Sequence, residues 1–364
     1  MIKVKIGLDK NSYEIYIGSG LLPRVGLWLK QKNFSGKAVI ITDTTVRGLY
    51  AEVLERSLAN AGFTVIILEI PPGEEQKTLA TAGRLYQKLA EAFAERNSPI
   101  LALGGGVIGD LAGFVAATYM RGVPLVQVPT TLLAMADSSI GGKTAVDHAT
   151  LKNMIGAFYQ PALVVDDVDT LKTLPKEELS NGMAEVIKHA VIKDKGFFEF
   201  LKKNITAAMA FNIGVLENIV EKNARIKAPV VETDEKESGL RTLLNFGHTV
   251  GHAVEAIMDF KIKHGRAVAI GMIAAAKISE RLGFLQKDEV NQLELLLHEA
   301  GLPVRVPEFN REEKEKLLEA IKHDKKVRDG KIRFVLLKAI GNPFISDDVG
   351  TDLIGEVLFG WKLA

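Results

Sequence analysis

Between Leu240 and Asp259 four polar side chains recur at helical spacing: Arg241, Asn245, His248 and His252, separated by four, three and four residues. At about 3.6 residues per turn they share one stripe of a predicted helix whose other face is apolar (Leu243, Leu244, Val250, Val254, Ile257). A lone histidine in such a helix is ordinarily packed or solvated. Two histidines, an amide and an arginine on one stripe could instead bind an ion. A metal needs more donors, and His264 stands 16 residues beyond His248 at the start of another predicted helix. A carboxylate could come from Glu185, which shares a helical face with Lys188 at i, i+3. The flanking Ala184, Val186, Ile187, Ala190 and Val191 leave that helix little exposed surface. The pair is therefore expected to line a cavity rather than to sit in solvent. Two histidines and a glutamate with an open position form a catalytic zinc arrangement, suited to polarising a hydroxyl or carbonyl oxygen. The chain has seven histidines and no cysteine, so disulfides, iron–sulfur clusters and thiolate-held zinc are excluded while nitrogen and oxygen ligands stay open.

A second chemistry-bearing segment is Leu103-Gly104-Gly105-Gly106-Val107-Ile108-Gly109-Asp110, which follows an apolar run and opens the helical stretch Leu111–Thr118. Successive glycines let backbone approach a ligand closely, and the helix start offers N–H groups and a positive dipole end to a phosphate. The spacing is not the usual G-x-G-x-x-G dinucleotide fingerprint. Asp43 directly after the strand-like 37–42 could accept a bond from a ribose hydroxyl, and Pro71–Lys77 follows the next strand. A third segment, Asp137-Ser138-Ser139-Ile140-Gly141-Gly142-Lys143-Thr144, superficially ends like a P-loop but lacks the upstream glycine that pattern requires. It is left as a polar loop with an acid and a base, Asp137 and Lys143.

The elements that must position these residues divide in two. Short β-branched runs at 37–42, 63–70, 99–105, 124–129 and 162–167 start 25 to 38 residues apart, room in most gaps for a helix such as 78–96. Repeated βαβ units and a parallel Rossmann-like sheet follow. Beyond about Leu171 long helical patterns take over (176–193, 240–259, 266–281, 289–300, 311–323), with one strand-like run at 332–337. The expected fold is an α/β domain over residues 1–170 and a mostly α-helical domain over 171–364, with a hinge near 165–180 and the active site in the cleft between them.

The 364 residues carry 46 Lys+Arg against 45 Asp+Glu, a net charge of +1, which gives no basic excess for nucleic acid or an anionic membrane surface. The N-terminal MIKVKIGLDKNSYEIYIG alternates and carries charge, so it reads as a strand pair and not as a signal peptide. The longest uncharged stretch, Gly122–Ala136, has 15 residues and two prolines, short of the roughly 18 that a membrane span needs. A cytoplasmic protein acting on a small molecule is expected.

Taken together, Gly104–Phe114, Tyr119–Gly122, Pro129–Ala134, Asp137–Thr144, Lys152-Asn153, Glu185–His189, Leu244–His252 and His264-Gly265 resemble the 3-dehydroquinate synthase family in order and spacing, across residues from about 40 to 330. The wider group includes other sugar-phosphate cyclases and glycerol-dehydrogenase-like enzymes. The resemblance implies an NAD+-dependent, Zn2+- or Co2+-dependent lyase that converts 3-deoxy-D-arabino-heptulosonate 7-phosphate into 3-dehydroquinate and phosphate, a step of the shikimate pathway. It implies Glu185, His248 and His264 as metal ligands. It implies NAD+ contacts from Asp43, Glu74, Lys77, Gly105, Gly106, Val107, Asp110, Thr130 and Thr131. Around the reacting substrate it implies His252, Lys143, Asp137, Lys188, Arg241 and Asn245, with Arg121, Lys152, Asn153, Lys227 and Lys325 as further substrate contacts. A homodimer is implied as well.

The residue chemistry agrees with that reaction. Oxidising a secondary alcohol to a ketone acidifies the neighbouring C–H and allows phosphate to leave by β-elimination; reduction, ring opening and an intramolecular aldol addition then follow. Lys143, Lys188, Lys227, Arg121 and Arg241 supply cations for a substrate bearing a phosphate and a carboxylate. His252, with an ordinary pKa of about 6.5, suits proton transfer. A glycerol-dehydrogenase-type enzyme is the runner-up, but it has no need of Lys143, Lys152, Lys188 and His323-Asp324-Lys325-Lys326. A nucleotide-sensing module ranks third, because it leaves the metal set unexplained.

Overall fold

The computed structural model describes residues 1–149, 151–237, 239–322 and 333–360. Seven strands form one sheet in the order β1-β2-β9-β6-β5-β3-β4. They are β1 (Ile2–Ile6), β2 (Tyr13–Gly18), β3 (Lys37–Asp43), β4 (Thr64–Ile70), β5 (Ile100–Gly104), β6 (Leu125–Pro129) and β9 (Leu163–Asp167). Every neighbouring pair is parallel except the β1–β2 hairpin. The five runs read from the sequence become β3, β4, β5, β6 and β9, and the N-terminal pair becomes β1 and β2. β5, β6 and β9 are buried along their whole length, as apolar runs covered on both faces should be. On one face Leu85 and Leu89 of the helix Leu79–Glu91 and Leu111 and Val115 of the helix Gly106–Thr118 pack on Val39, Ile41 and Ala102. On the other, Trp28 and Leu29, with Leu54 and Leu58, pack on Ile40, Leu101 and Val126.

A hairpin of β7 (Lys143–His148) and β8 (Leu151–Phe158) lies outside that sheet. The segment 137–144, expected as a polar loop, instead runs into β7 at Lys143. β8 is half exposed, with Leu151, Met154 and Phe158 facing out, so its apolar pattern does not mark a buried face.

The chain forms two compact units, Met1–Pro175 with Ile213–Lys236, and Lys176–Asn212 with Glu237–Ala364. The helix Ile213–Thr233, expected in the second domain, thus belongs to the first unit. Its buried face (Leu216, Ile219, Val220, Ala224, Val231) covers the β1–β2 end of the sheet. Polar bonds fix it there: Gly7 N donates to Glu232 Oε1 at 2.6 Å, and Asn223 Nδ2 donates to the Ala136 carbonyl at 2.5 Å. The second unit is mostly helical, including Lys176–Lys193, Lys195–Met209, His248–Ile257, His264–Arg281, Lys287–Glu299 and Arg311–Lys322, with a small hairpin of β10 (Phe334–Ala339) and β11 (Asn342–Ser346). No helix among the described residues is long and apolar enough to cross a membrane.

Two adjacent aspartates end β9 and differ in kind. Asp167 accepts backbone N–H bonds from Gly20, Leu21, Leu22 and Asp169. Asp166 is wholly buried, and neither of its carboxyl oxygens meets a donor among the described residues. Burial pushes its pKa well above the ordinary value, so the folded state favours the protonated acid. A carboxyl raised on folding costs stability as pH climbs from its unfolded value toward its folded one. Asp166→Asn is therefore expected to be near neutral at pH of about 4 and to stabilise by about 1–3 kcal/mol near pH 7. Urea unfolding across that range checks it, and a variant less stable than the parent near pH 7 would contradict it.

Candidate active site

In the second unit the helix Lys176–Lys193 is buried from Leu179 to Ile192, which agrees with the expectation of little exposed surface. Glu185 is fully buried and accepts a hydrogen bond from Lys188 Nζ, itself 2% exposed. The predicted stripe on a single helix 240–259 is not found. Leu240–Asn245 is a 3-10 turn, and the helix starts afresh at His248. The cause is Gly247, whose φ is +81°, and where a Cβ would lie 2.8 Å from the Met272 nitrogen and the Val268 carbonyl. A Cβ on Gly271 would in turn lie 1.8 Å from the Gly247 carbonyl. These glycines let the helices His248–Ile257 and His264–Arg281 approach closely, and that approach is what brings His248 toward His264.

His264 is set by the start of its own helix. Gly265 N donates to Asn181 Oδ1 at 2.7 Å, and Lys263 pairs with Glu177 at 3.2 Å and with Glu178. Asn181 lies one turn before Glu185, so the clamp holds His264 beside that carboxylate. Glu185 Oε1 is 3.6 Å from His264 Nε2 and 3.8 Å from His248 Nε2. One donor atom from each of the three residues lies within 4.8 Å of the others. Two ligand atoms each about 2.1 Å from a tetrahedral ion stand about 3.4 Å apart, so this donor set fits a zinc-like ion with small inward shifts. His252 stands beside it, its ring centroid 5.2 Å from that of His248 and 6.2 Å from that of His264.

The electrostatics separate the two ligand histidines. Burial and the Lys188 ammonium hold His248 well below the ordinary histidine range, so it presents a neutral lone pair. Burial disfavours charge on His264 too, but the carboxylates of Glu185 and Glu255 outweigh it and push the ring up to about 10. Glu255, which the sequence reading did not single out, is buried with Oε1 at 3.3 Å from His264 Nδ1. Its signal was present, since it continues the His248, His252 spacing by three. Arg241 is 2% exposed, and Asn245 Nδ2 donates to Glu237 Oε1 at 3.3 Å.

The first unit carries the remaining candidates among the described residues. Between β3 and β5 the strand order reverses, the place where open parallel sheets bind ligands beyond their carboxyl ends. Asp43 ends β3 there, its Oδ1 accepting from Thr45 N and Val46 N. Gly104 ends β5, and the helix Gly106–Thr118 begins without a side-chain cap, leaving its first N–H groups open to an anion. Thr130 N donates to the Gly104 carbonyl at 2.9 Å, and a Cβ on Gly105 would lie 3.1 Å from Thr131 Cγ2. Lys77, buried, donates to Asp110 Oδ2 at 2.6 Å and also to Asn153 Oδ1, with Glu74 at 3.9 Å. Burial pushes the Asp110 carboxyl up even beside that lysine. Asn153, implied as a substrate contact, thus touches Lys77, implied as a nucleotide contact.

Asp137 sits in a π-turn, Ala134–Ser138, of the kind often found at functional sites. Lys227 Nζ donates to the Asp137 carbonyl at 2.5 Å and to its Oδ1, so the helix Ile213–Thr233 supplies the partner. Lys143 opens β7 and Lys152 is the second residue of β8. Arg121 has a φ of +66° within a left-handed run from Met120 to Gly122. Lys325 lies outside the described residues, as does His323.

A family model described as 3-dehydroquinate synthase N-terminal matches residues 67–181, and one described as 3-dehydroquinate synthase C-terminal matches residues 182–327. The 3-dehydroquinate synthase of Pelotomaculum thermopropionicum is 50% identical over 359 residues, 98% of this chain and 96% of that protein. Among solved structures, 2-epi-5-epi-valiolone synthase from Streptomyces hygroscopicus subsp. jinggangensis 5008, with NAD+ and Zn2+ bound, superposes with a TM-score of 0.88 at 28% identity over 96% of this chain and 97% of its own. A 2-deoxy-scyllo-inosose synthase complexed with carbaglucose-6-phosphate, NAD+ and Co2+ gives 0.88 at 29% identity over 98% and 99%. The match runs unbroken through the glycine-rich turn and all three candidate ligands, and half of all positions are identical over nearly the full length: the chain belongs to the 3-dehydroquinate synthase family.

Proposed function

We propose that this chain converts 3-deoxy-D-arabino-heptulosonate 7-phosphate into 3-dehydroquinate and phosphate, with Glu185, His248 and His264 holding Zn2+ or Co2+ and the β3 and β5 strand ends of the first unit holding NAD+. When bound, NAD+ takes up and returns a hydride while the divalent ion polarises the oxygens at the carbons that are oxidised and joined. The residues of the chain do the remaining work. Gly105, Gly106 and Val107 offer backbone N–H groups to the pyrophosphate, and Asp43 Oδ2 is available for a ribose hydroxyl. Glu74, Lys77, Asp110, Thr130 and Thr131 complete that nucleotide set. Arg121, Lys143, Lys152, Lys188, Lys227, Arg241 and Lys325 bind phosphate and carboxylate oxygens, and Asn153 and Asn245 orient hydroxyls. His252, exposed one turn beyond His248, accepts and returns a hydroxyl proton, and Asp137 holds Lys227 in place for the substrate.

The observation that supports this reading best is the pair of contacts from Glu185 Oε1 to two histidine nitrogens, at 3.6 and 3.8 Å. The first unit is the proposed NAD+ domain and the second the proposed metal-binding domain, and the enzyme is proposed to act as a cytoplasmic homodimer, which sedimentation equilibrium and cell fractionation check. Phosphate release from the heptulosonate phosphate is expected to stop on chelation and to return with zinc or cobalt. Release that is indifferent to a chelator, with no metal left in the protein, would contradict the assignment.

A further inference from the structure

We propose that Glu255 is the positioning residue of the metal centre, acting through His264. The inference rests on the metal assignment above and adds to it a residue with no place in the ligand set. His264 faces a carboxylate at each ring nitrogen: Glu185 Oε1 stands 3.6 Å from Nε2, and Glu255 Oε1 stands 3.3 Å from Nδ1. Nε2 is the nitrogen that faces Glu185, so the nitrogen facing Glu255 must carry the proton for Nε2 to present a lone pair. A carboxylate at Nδ1 enforces that tautomer, fixes the ring rotation and makes Nε2 a stronger donor.

Burial argues that this arrangement has a purpose. Glu255 is 4% exposed, and an ionised carboxylate that deep is costly without a partner that uses its charge. An imidazole that donates its lone pair to a cation is such a partner. His248 provides the contrast within the same centre, because its Nδ1 lies 3.3 Å from the neutral carbonyl oxygen of Phe246. One ligand histidine is thus oriented by backbone, which side-chain substitution cannot remove, and the other by a single side chain that can be changed. Glu255 also sits on the helix His248–Ile257, which carries His248, so it links one ligand helix to the first residue of the next.

The test is zinc affinity, measured on the full-length protein by competition with a chromophoric chelator. Glu255→Gln, which preserves shape and a hydrogen-bond acceptor but not charge, is expected to weaken zinc binding by about 10- to 100-fold. Glu255→Asp keeps the charge and is expected to lose less. In the zinc-loaded parent, 15N-histidine NMR is expected to show His264 protonated at Nδ1 with slow proton exchange, and in zinc-loaded Glu255→Gln that exchange is expected to accelerate. Thermal unfolding without metal identifies a variant that merely fails to fold, in which case the NMR tautomer in the parent decides. Zinc affinity of Glu255→Gln within twofold of the parent would overturn the proposal, as would His264 protonated at Nε2. A second zinc held by His252, Glu255 and His264, lost in Glu255→Gln while the first stays at parental affinity, would also overturn it, since those three donors cluster too. His264→Ala run alongside separates the ligand set from its positioning. If it binds zinc like the parent the metal assignment fails, and if it loses zinc while Glu255→Gln keeps it only the present inference fails.

Discussion

His264→Ala is expected to lose its zinc and to slow phosphate release from the heptulosonate phosphate by about a thousandfold or more. The magnitude follows from the several kcal/mol that metal polarisation of a reacting oxygen supplies, each 1.4 kcal/mol or so being a factor of ten in rate. The fold is expected to survive. His264 is the first residue of its helix with its side chain one-third exposed, and the clamp from Asn181 Oδ1 reaches Gly265 N, not the imidazole. The loss should therefore appear as metal content near zero in a protein with the parent's circular dichroism. Metal content equal to the parent's would show that the ligand set is wrong.

Lys188→Met separates stability from metal binding in the same cluster. Lys188 and Glu185 are 2% and 0% exposed and hydrogen-bond each other, so removing the lysine leaves the buried carboxylate to the His264 ring, 3.6 Å away and with its pKa raised to about 10. In metal-free protein the lost charge-assisted bond is expected to cost about 1–3 kcal/mol. Zinc replaces the missing cation at Glu185, so adding it should recover most of that loss, and the variant should gain more from zinc than the parent does. Turnover is expected to fall by about 10- to 100-fold even when metal-loaded, the value of one charge-assisted bond to the substrate. Denaturant unfolding with and without zinc, beside initial rates, checks both parts. A metal-free variant as stable as the parent would contradict the view that Glu185 depends on Lys188.

Much of this was readable from the chain, and the misses have physical reasons. The parallel sheet was legible because fully buried strands such as 99–105 and 162–167 are continuous apolar runs, separated by enough chain for a helix. Glu185 and Lys188 were legible as a buried pair because the residues flanking them on their helix, Ala184, Val186, Ile187, Ala190 and Val191, are apolar. The Arg241–His252 stripe was not, because spacing counts turns and cannot see that Gly247 ends one element and begins another. The assignment of Ile213–Thr233 to the first unit depends on which distant surface its apolar face covers, and no local pattern names that surface. Glu255 continues the His248, His252 spacing, but that it meets His264, and that Asn181 meets Gly265, became visible only once the helices were packed.

The most direct test of the account follows product, phosphate and nicotinamide absorbance together while the zinc-loaded enzyme turns over the heptulosonate phosphate. One 3-dehydroquinate per phosphate is expected, with no net NADH at any stage after the first turnover. NADH that accumulates steadily from a simple polyol, with no phosphate released from the heptulosonate phosphate, would contradict it.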